Sequence, residues 1–134
     1  MIEGGCLCGV IRYESHGRAL RFAHCHCPDC RKASGATFAT TLVVESSGFR
    51  VTAGEADIVP YPSSPGKVRC FCRRCGSPLF SRVDSRPDVV LIRAGSLDGD
   101  PGMRPEMHIW VKAKAPWDEI HDDLPQYEEG LPSR

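Results

Sequence analysis

The eight cysteines of this 134-residue chain are grouped along the sequence, and none of them stands alone. In a reducing compartment disulfides are rare, and clustered cysteines more often hold metal or do redox work. Metal binding would require segments far apart in the sequence to meet, so it constrains the fold more than any other feature. The cysteines occupy positions 6, 8, 25, 27, 30, 70, 72 and 75.

The length and charge of the chain limit the classes of protein to which it can belong. Its length fits a single domain, which we expect to span residues 1–134. Basic and acidic residues balance at 17 each, which argues against a broad field attracting nucleic acid or anionic membrane. No signal-like apolar run begins the chain, and no stretch reaches the ~18 apolar residues of a spanning helix. We therefore expect a cytoplasmic protein with neither nucleic acid nor membrane as a partner.

Apolar and β-branched runs alternate with turn signals through most of the chain, a pattern typical of short strands. Turn signals rich in proline and glycine lie at 61–67, 84–88 and 98–106. A short helix is predicted at 28–34, in PDCRKAS. The sequence therefore predicts a mainly β fold with short strands and little helix. The predicted strands cover residues 10–14, 37–44, 49–52, 78–83 and 89–95.

Two cysteine pairs share a glycine immediately after their second cysteine, in CLCG and CRRCG. A glycine there lets the chain turn tightly, so that backbone N–H groups can point at thiolate sulfur. Tetrahedral zinc takes four thiolates at about 2.3 Å, and paired spacing supplies two from each turn. We therefore predict one closed, structural zinc site formed by Cys6, Cys8, Cys72 and Cys75.

A second cluster, Cys25, Cys27 and Cys30, has the spacing C-x-C-x2-C. Catalytic zinc has three protein ligands and an exchangeable fourth position, whereas structural zinc is closed. The count of three thiolates therefore favours an open zinc site, at which a thiol is a better fourth ligand than water. The alternative is a fourth protein ligand, for which the candidates are His24, His26, Asp29 and Cys70.

The sequence indicates the roles of two histidines and of the remaining cysteine, Cys70, less clearly. His26 lies between two predicted ligands, so its side chain is expected to point away from the metal, as a proton shuttle or a solvent-facing polar residue. His108, in the strand-like run MHIWV, is equally compatible with a hydrogen-bonded structural role. Cys70 is predicted to be a free thiol that packs as a small hydrophobe, with metal ligation as the alternative.

Several cations are close to the cysteines in the sequence. Their positive charge would attract a substrate that carries carboxylates. Solvation at the surface is the more common use of each single residue. The cations are Arg31, Lys32, Arg69, Arg73 and Arg74.

Five motifs occur in a characteristic order: GGCLCGVIRYE, HCHCPDCRKASG, RCFCRRCGSPLF, GSLD and HIWVKAKAPW. Together they resemble the glutathione-dependent formaldehyde-activating enzyme (GFA) family, also called the centromere protein V family, over residues 4–130. The resemblance implies a compact, mainly β zinc fold with two zinc sites per domain. Cys70 matches no ligand position of the family. The structural zinc ligands of the family match Cys6, Cys8, Cys72 and Cys75, and its catalytic zinc ligands match Cys25, Cys27 and Cys30.

The resemblance also implies a carbon–sulfur lyase that acts on small thiol adducts. In the reaction for which the family is named, glutathione adds to formaldehyde to give S-hydroxymethylglutathione. The resemblance therefore implies a small thiol such as glutathione as the partner, and its two zinc sites imply Zn²⁺ as the cofactor. Two mechanisms stay open, namely thiol activation by zinc and displacement of the metal by the incoming thiol. The candidate catalytic residues are Cys25, Cys27, Cys30 and His26.

Two alternatives to an enzyme remain at this stage. Centromere protein V suggests that the fold can serve as a non-catalytic zinc-binding interaction module. A redox-sensing cysteine cluster would form disulfides reversibly and release zinc. An iron–sulfur cluster is the inorganic rival of zinc, but the cysteine spacings do not match the ferredoxin patterns.

Overall fold

Short strands joined by tight turns make up most of the computed structural model, which describes residues 1–132. The predicted mainly β class is confirmed, and the last two residues of the predicted domain, 133 and 134, lie outside the described residues. The helix, α1, spans Pro28–Ser34 as predicted. The strands are β1 Ile2–Gly5, β2 Arg12–Ser15, β3 Ala19–Cys25, β4 Ala39–Glu45, β5 Phe49–Ala53, β6 Ile58–Ser64, β7 Lys67–Cys72, β8 Pro78–Val83, β9 Val89–Arg93 and β10 Met107–Ile109.

The strands form two sheets. The smaller sheet has the order β1-β2-β5, and the larger has the order β10-β3-β4-β9-β8-β7-β6. Neighbours are antiparallel except for β10, which pairs in parallel with the end of β3 and brings Ile109 opposite Cys25. This parallel pair places the C-terminal part of the chain beside the three-cysteine segment. Within residues 1–132, no helix combines the length and the apolar character needed to cross a bilayer.

The five predicted strands are all present, with ends shifted by up to two residues. The prediction of a turn at 61–67 is wrong in part, because β6 continues through Ser64 and the turn itself is Pro65–Gly66. Pro60 and Pro62 fit within β6 because it is the edge strand of its sheet. On the side without a neighbouring strand, the backbone N–H that proline lacks is not needed for pairing.

The main core lies between the two sheets. Side chains alternate across a strand, so a strand packed against this core can send every second residue into it. In β9, for example, Val90 and Ile92 are fully buried there, while Leu91 and Arg93 lie on the opposite face. The other buried members of the core are Cys6, Ile11, Tyr13, Phe22, Leu42, Val44, Phe49, Cys70, Cys72, Leu79 and Phe80.

The opposite face of the larger sheet carries the second cysteine cluster. Residues of this face line one cavity together with Ile109, Trp110 and Leu131 from the C-terminal part of the chain. The cysteines are followed at once by α1, whose first residue is proline, as suits a helix start. The two faces of the larger sheet therefore differ in role, because one buries the core and the other presents reactive side chains.

Replacement of Leu79 by alanine tests the packing of the main core. The Leu79 side chain is fully buried, so we expect the free energy of unfolding to fall by about 2–5 kcal/mol. Urea denaturation of the zinc-loaded protein would measure this loss. Leu7→Ala is the matched control, because Leu7 is 87% exposed and its truncation should cost less than about 0.5 kcal/mol. Equal costs for the two variants would contradict the assignment of the core.

Candidate metal and active site

The first candidate centre is formed by two similar turns that face one another. In the first turn, Ile11 donates its backbone N–H to Cys6 Sγ at 3.3 Å, and Gly9 has φ +80°. In the second, Arg74 donates its backbone N–H to Cys72 Sγ at 3.4 Å, and Gly76 has φ +78°. Both glycines adopt the left-handed conformation expected from the sequence, which closes each turn around sulfur.

The four sulfurs of this centre have the spacing that zinc requires. A tetrahedron with Zn–S bonds of about 2.3 Å has S···S edges of about 3.8 Å. Cys6 Sγ and Cys8 Sγ are 3.6 Å apart, and Cys8 Sγ and Cys72 Sγ are 3.9 Å apart. All four sulfurs, including that of Cys75, lie within 4.8 Å of one another. The donor set therefore fits a tetrathiolate metal site that joins the start of the chain to its middle.

Contacts around the second turn favour thiolate and hold the turn in place. The Ser77 hydroxyl lies 3.2 Å from Cys75 Sγ and, with backbone hydrogen bonds, lowers the pKa of Cys75 to about 5. Asp57 accepts from Arg73 Nε at 2.6 Å and forms an ion pair with Arg74 Nε at 3.2 Å. The two arginines therefore tie the turn to the short helical turn that precedes β6.

The second candidate centre lies where β3 ends and α1 begins. Cys25 closes β3, Cys27 caps the helix by accepting the backbone N–H of Cys30 at 3.3 Å, and Cys30 is in the first turn. Their three sulfurs lie within 4.8 Å of one another, and among residues 1–132 no fourth cysteine, histidine or carboxylate joins this group. The arrangement fits three ligands of one metal ion, with room for a fourth from outside the chain.

The environment of this cluster favours anionic sulfur. Hydrogen bonds from Cys25 and Cys27 lower the pKa of Cys30, and the charge of Arg93 and a hydrogen bond from Arg69 act in the same direction. Conversely, hydrogen bonding with Cys27 and Cys30, together with burial, raises the pKa of Cys25. The surroundings therefore favour thiolate at Cys30 and thiol at Cys25, and a dication would favour thiolate at both.

Three cations surround the second cluster: Lys67, Arg69 and Arg93. Arg69 Nη2 lies 3.9 Å from Cys30 Sγ, and Arg93 is only 7% exposed. Burial lowers the pKa of Arg93, and burial together with the charge of Arg69 lowers the pKa of Lys67. Both shifts show that positive charge is held here at a cost, which anionic sulfur offsets.

A chain of hydrogen bonds lies behind the cysteine segment. His26 Nε2 is 2.8 Å from His108 Nδ1, and His108 Nε2 is 2.9 Å from a carboxylate oxygen of Asp122. With His108 neutral, its Nε2–H donates to Asp122 and its Nδ1 accepts from His26. Burial and the nearby His108 lower the pKa of His26 to about 4, so His26 is neutral at pH 7. Phe38 packs against His24, His26 and His108 at centroid distances of 4.5 to 5.9 Å.

The structure decides between several alternatives left open by the sequence. The solvent-facing alternative for His26 is wrong, because the side chain is fully buried; its role as a catalytic residue stays a prediction. His108 is a buried, hydrogen-bonded histidine. Cys70 lies in the main core, outside both metal-binding groups, so it packs as a small hydrophobe as predicted. Asp29 and His24 likewise lie outside the three-cysteine group.

The predicted cations near the cysteines make different contacts. Arg69 reaches the second cluster, whereas Arg73 and Arg74 pair with Asp57. Arg31 donates to the backbone oxygens of His26 and Ala113, which ties α1 to the C-terminal part of the chain.

Sequence reasoning missed Lys67 and Arg93 as residues of the site. The sequence feature that could have identified them is a cation within or at the end of an apolar strand, at a position that faces away from the core. Lys67 and Arg69 alternate with Val68 and Cys70 in β7, and Arg93 ends the apolar run of β9.

Comparisons with known proteins found similar sequences and a similar fold. The sequence profile described as "Glutathione-dependent formaldehyde-activating enzyme" matches residues 1–113. A Halomonas elongata protein named putative glutathione-dependent formaldehyde-activating enzyme is 31% identical over 90% of this chain and 81% of its own length. A Schizosaccharomyces pombe protein named uncharacterized lyase is 27% identical over 72% of this chain and 69% of its own length. The crystal structure of a Rhodobacter sphaeroides protein, 24% identical, superposes with a TM-score of 0.64 over 77% of this chain and 97% of that one.

Metal content separates the two candidate centres. We expect about two zinc ions per chain in protein purified without chelator, and about one in both Cys72→Ser and Cys27→Ser. Because the first centre joins distant segments, Cys72→Ser should also lower the free energy of unfolding more than Cys27→Ser does. Elemental analysis and urea denaturation measure the two effects. Unchanged zinc content in either variant would remove that centre from the assignment.

The Asp122 contact predicts a pH-dependent contribution to stability. The hydrogen bond from His108 lowers the pKa of Asp122 in the folded state. The Asp122 carboxylate therefore contributes fully to the free energy of unfolding above the pKa of an unfolded aspartate, about 3.9. This contribution is lost as the pH falls through the lower pKa of the folded state. Asp122→Asn should be less stable than wild type above about pH 5, and the difference should shrink below pH 4. A difference independent of pH would show that the carboxylate charge is not involved.

Proposed function

The chain belongs to the glutathione-dependent formaldehyde-activating enzyme family, and from this membership and the three-cysteine cluster we propose that it is a zinc-dependent carbon–sulfur lyase acting on small thiol adducts. Glutathione and formaldehyde are the reactant pair that the family name supplies. The reaction forms or breaks the bond between a thiol sulfur and the carbon of a small carbonyl compound. A relative named as a lyase supports the reaction class.

The observation that carries the proposal is the difference between the two cysteine groups. Four sulfurs close the first centre, while three sulfurs form the second. A closed tetrahedral site is typical of structural zinc, and three protein ligands with an exchangeable fourth are typical of catalytic zinc. When bound at the second centre, zinc would lower the pKa of an incoming thiol and so supply a thiolate nucleophile.

The residues of the chain would hold and shield the reacting groups. Cys25, Cys27 and Cys30 would be the metal ligands, and all three line a cavity of ≈ 170 Å³. Besides its charged residues, the cavity has an apolar part that includes Ile109 and Trp110 and would limit the access of water to a bound thiol. Exclusion of water keeps the local dielectric low and strengthens the attraction between thiolate sulfur and the surrounding cations.

The hydrogen-bonded histidines would support this site from behind. His26 lies between Cys25 and Cys27 in the chain, and its bond to His108 couples the segment to β10. The backbone N–H of His26 also donates to Ile109 at 3.0 Å. These contacts hold the two cysteines at a fixed separation, which a metal site with defined geometry requires. Location in the reducing cytoplasm, as proposed from the sequence, would keep all these thiols available.

Exchange between free and adducted thiol tests the proposal. We expect zinc-loaded protein to accelerate the interconversion of glutathione plus ¹³C-formaldehyde and the hydroxymethyl adduct, measured by NMR exchange spectroscopy. Cys27→Ser should reduce this acceleration by at least about 100-fold, because it removes a metal ligand. Cys70→Ala is the control and should keep the acceleration, since Cys70 lies outside both centres. A Cys27→Ser variant with unchanged turnover would remove the catalytic assignment.

A further inference from the structure

Lys67, Arg69 and Arg93 leave positive charge beside the second cluster without a carboxylate partner. Among the salt bridges within residues 1–132, none includes any of the three. In the part of the chain that the structure describes, the Arg93 guanidinium donates to the hydroxyl groups of Thr41 and Ser81. Arg93 is buried and Lys67 and Arg69 are half-buried, so positive charge in excess of the anionic sulfur leaves room for a further anion here.

Arg69 gives the most specific indication. Its Nε donates to Ser63 Oγ at 3.0 Å and its Nη2 approaches Cys30 Sγ at 3.9 Å. Its Nη1 is buried and makes no hydrogen bond within the described residues. A guanidinium presents its donors as a rigid planar fork that matches a carboxylate. The guanidinium therefore has one donor without a partner beside the cluster, and a small shift of the side chain would bring this donor to a bound anion.

The charge balance of the site defines that anion further. A zinc ion with three thiolates carries a net charge of about minus one. It offsets one of the three cations, so about two positive charges remain. A bound thiolate offsets one more, and a single carboxylate offsets the last. A phosphate dianion in addition to a thiolate would exceed this balance.

The cavities limit the size of the ligand. Arg93 lines both the ≈ 170 Å³ cavity, with the three cysteines and Lys67, and the adjacent ≈ 380 Å³ cavity, with Arg69. The cavity at the cysteines is smaller than the ~300–1,000 Å³ typical of sites for drug-sized ligands. A ligand whose sulfur reaches the cysteines therefore has its other polar group close to these cations.

We propose that Lys67, Arg69 and Arg93 form a carboxylate-binding subsite, and that the substrate of this protein is a small acidic thiol whose carboxylate lies a few bonds from its sulfur. This assignment rests on the proposed function for the thiol, while the subsite itself depends only on the cations. The carboxylate pairs with this group of cations, and the sulfur occupies the fourth position beside Cys25, Cys27 and Cys30.

Isothermal titration calorimetry on the zinc-loaded full chain tests the subsite. The probes are 3-mercaptopropionate and its uncharged analogue 3-mercaptopropan-1-ol. We expect the acid to bind about 10- to 100-fold more tightly, the scale of one charge-assisted hydrogen-bonded pair. The preference should be lost in Arg69→Gln and kept in Arg82→Gln, which removes the same charge from an exposed position on the neighbouring strand β8.

The wild-type comparison needs no variant, so it stays decisive if Arg69→Gln does not fold. Equal affinity of wild-type protein for the two thiols overturns the subsite and leaves the proposed function intact. If neither thiol binds, the assignment of a small acidic thiol as substrate is overturned, the exchange assay with glutathione decides the proposed function separately, and propionate, which has no sulfur, decides the subsite. Propionate binding that weakens in Arg69→Gln supports it, and absence of propionate binding overturns it.

Discussion

The contact between two cysteine turns, one near the start of the chain and one in its middle, is the constraint on which the rest of the structure depends. Cys6 and Cys72 are separated by most of the first half of the sequence, yet both belong to the buried core. Cys6, Cys8, Cys72 and Cys75 could hold a metal ion, which would close this long loop, and metal–sulfur bonds would offset the entropy of closure. The small sheet is thereby held against the larger one, and the core forms between them.

The two cysteine groups manage negative charge by different means. Around the first, backbone N–H groups of Ile11 and Arg74 donate to sulfur, and no cation is needed in the immediate contact. Around the second, arginine and lysine side chains on the outer face of the larger sheet provide the balance. Fixed backbone dipoles suit a closed site of constant charge. Cationic side chains in excess of the thiolate charge suit a site that receives a further anion.

Prediction of the fold succeeded where local pattern and tertiary environment agree. The strands from 78 and from 89 were predicted because they are short runs of apolar and β-branched residues bounded by turn signals. The strand β6 was missed because its two prolines signal a turn, and only its place at the sheet edge makes them compatible with a strand. The strand β3 was missed because its order of residues, ALRFAHC, has no clean period of two. The short helix was predicted correctly, since proline begins it and glycine ends it.

The sequence by itself determined the donor atoms and the local turns. Cysteine spacing and the glycines that follow Cys8 and Cys75 specify turns around sulfur, because these depend on only a few consecutive residues. Only the tertiary structure decided which side chains surround the second cluster. Arg69 and Arg93 come from strands remote from Cys30 in the sequence, and His26 meets His108 from 82 positions away. Such contacts arise from sheet order and register, which follow from burial of the whole core and not from any local pattern.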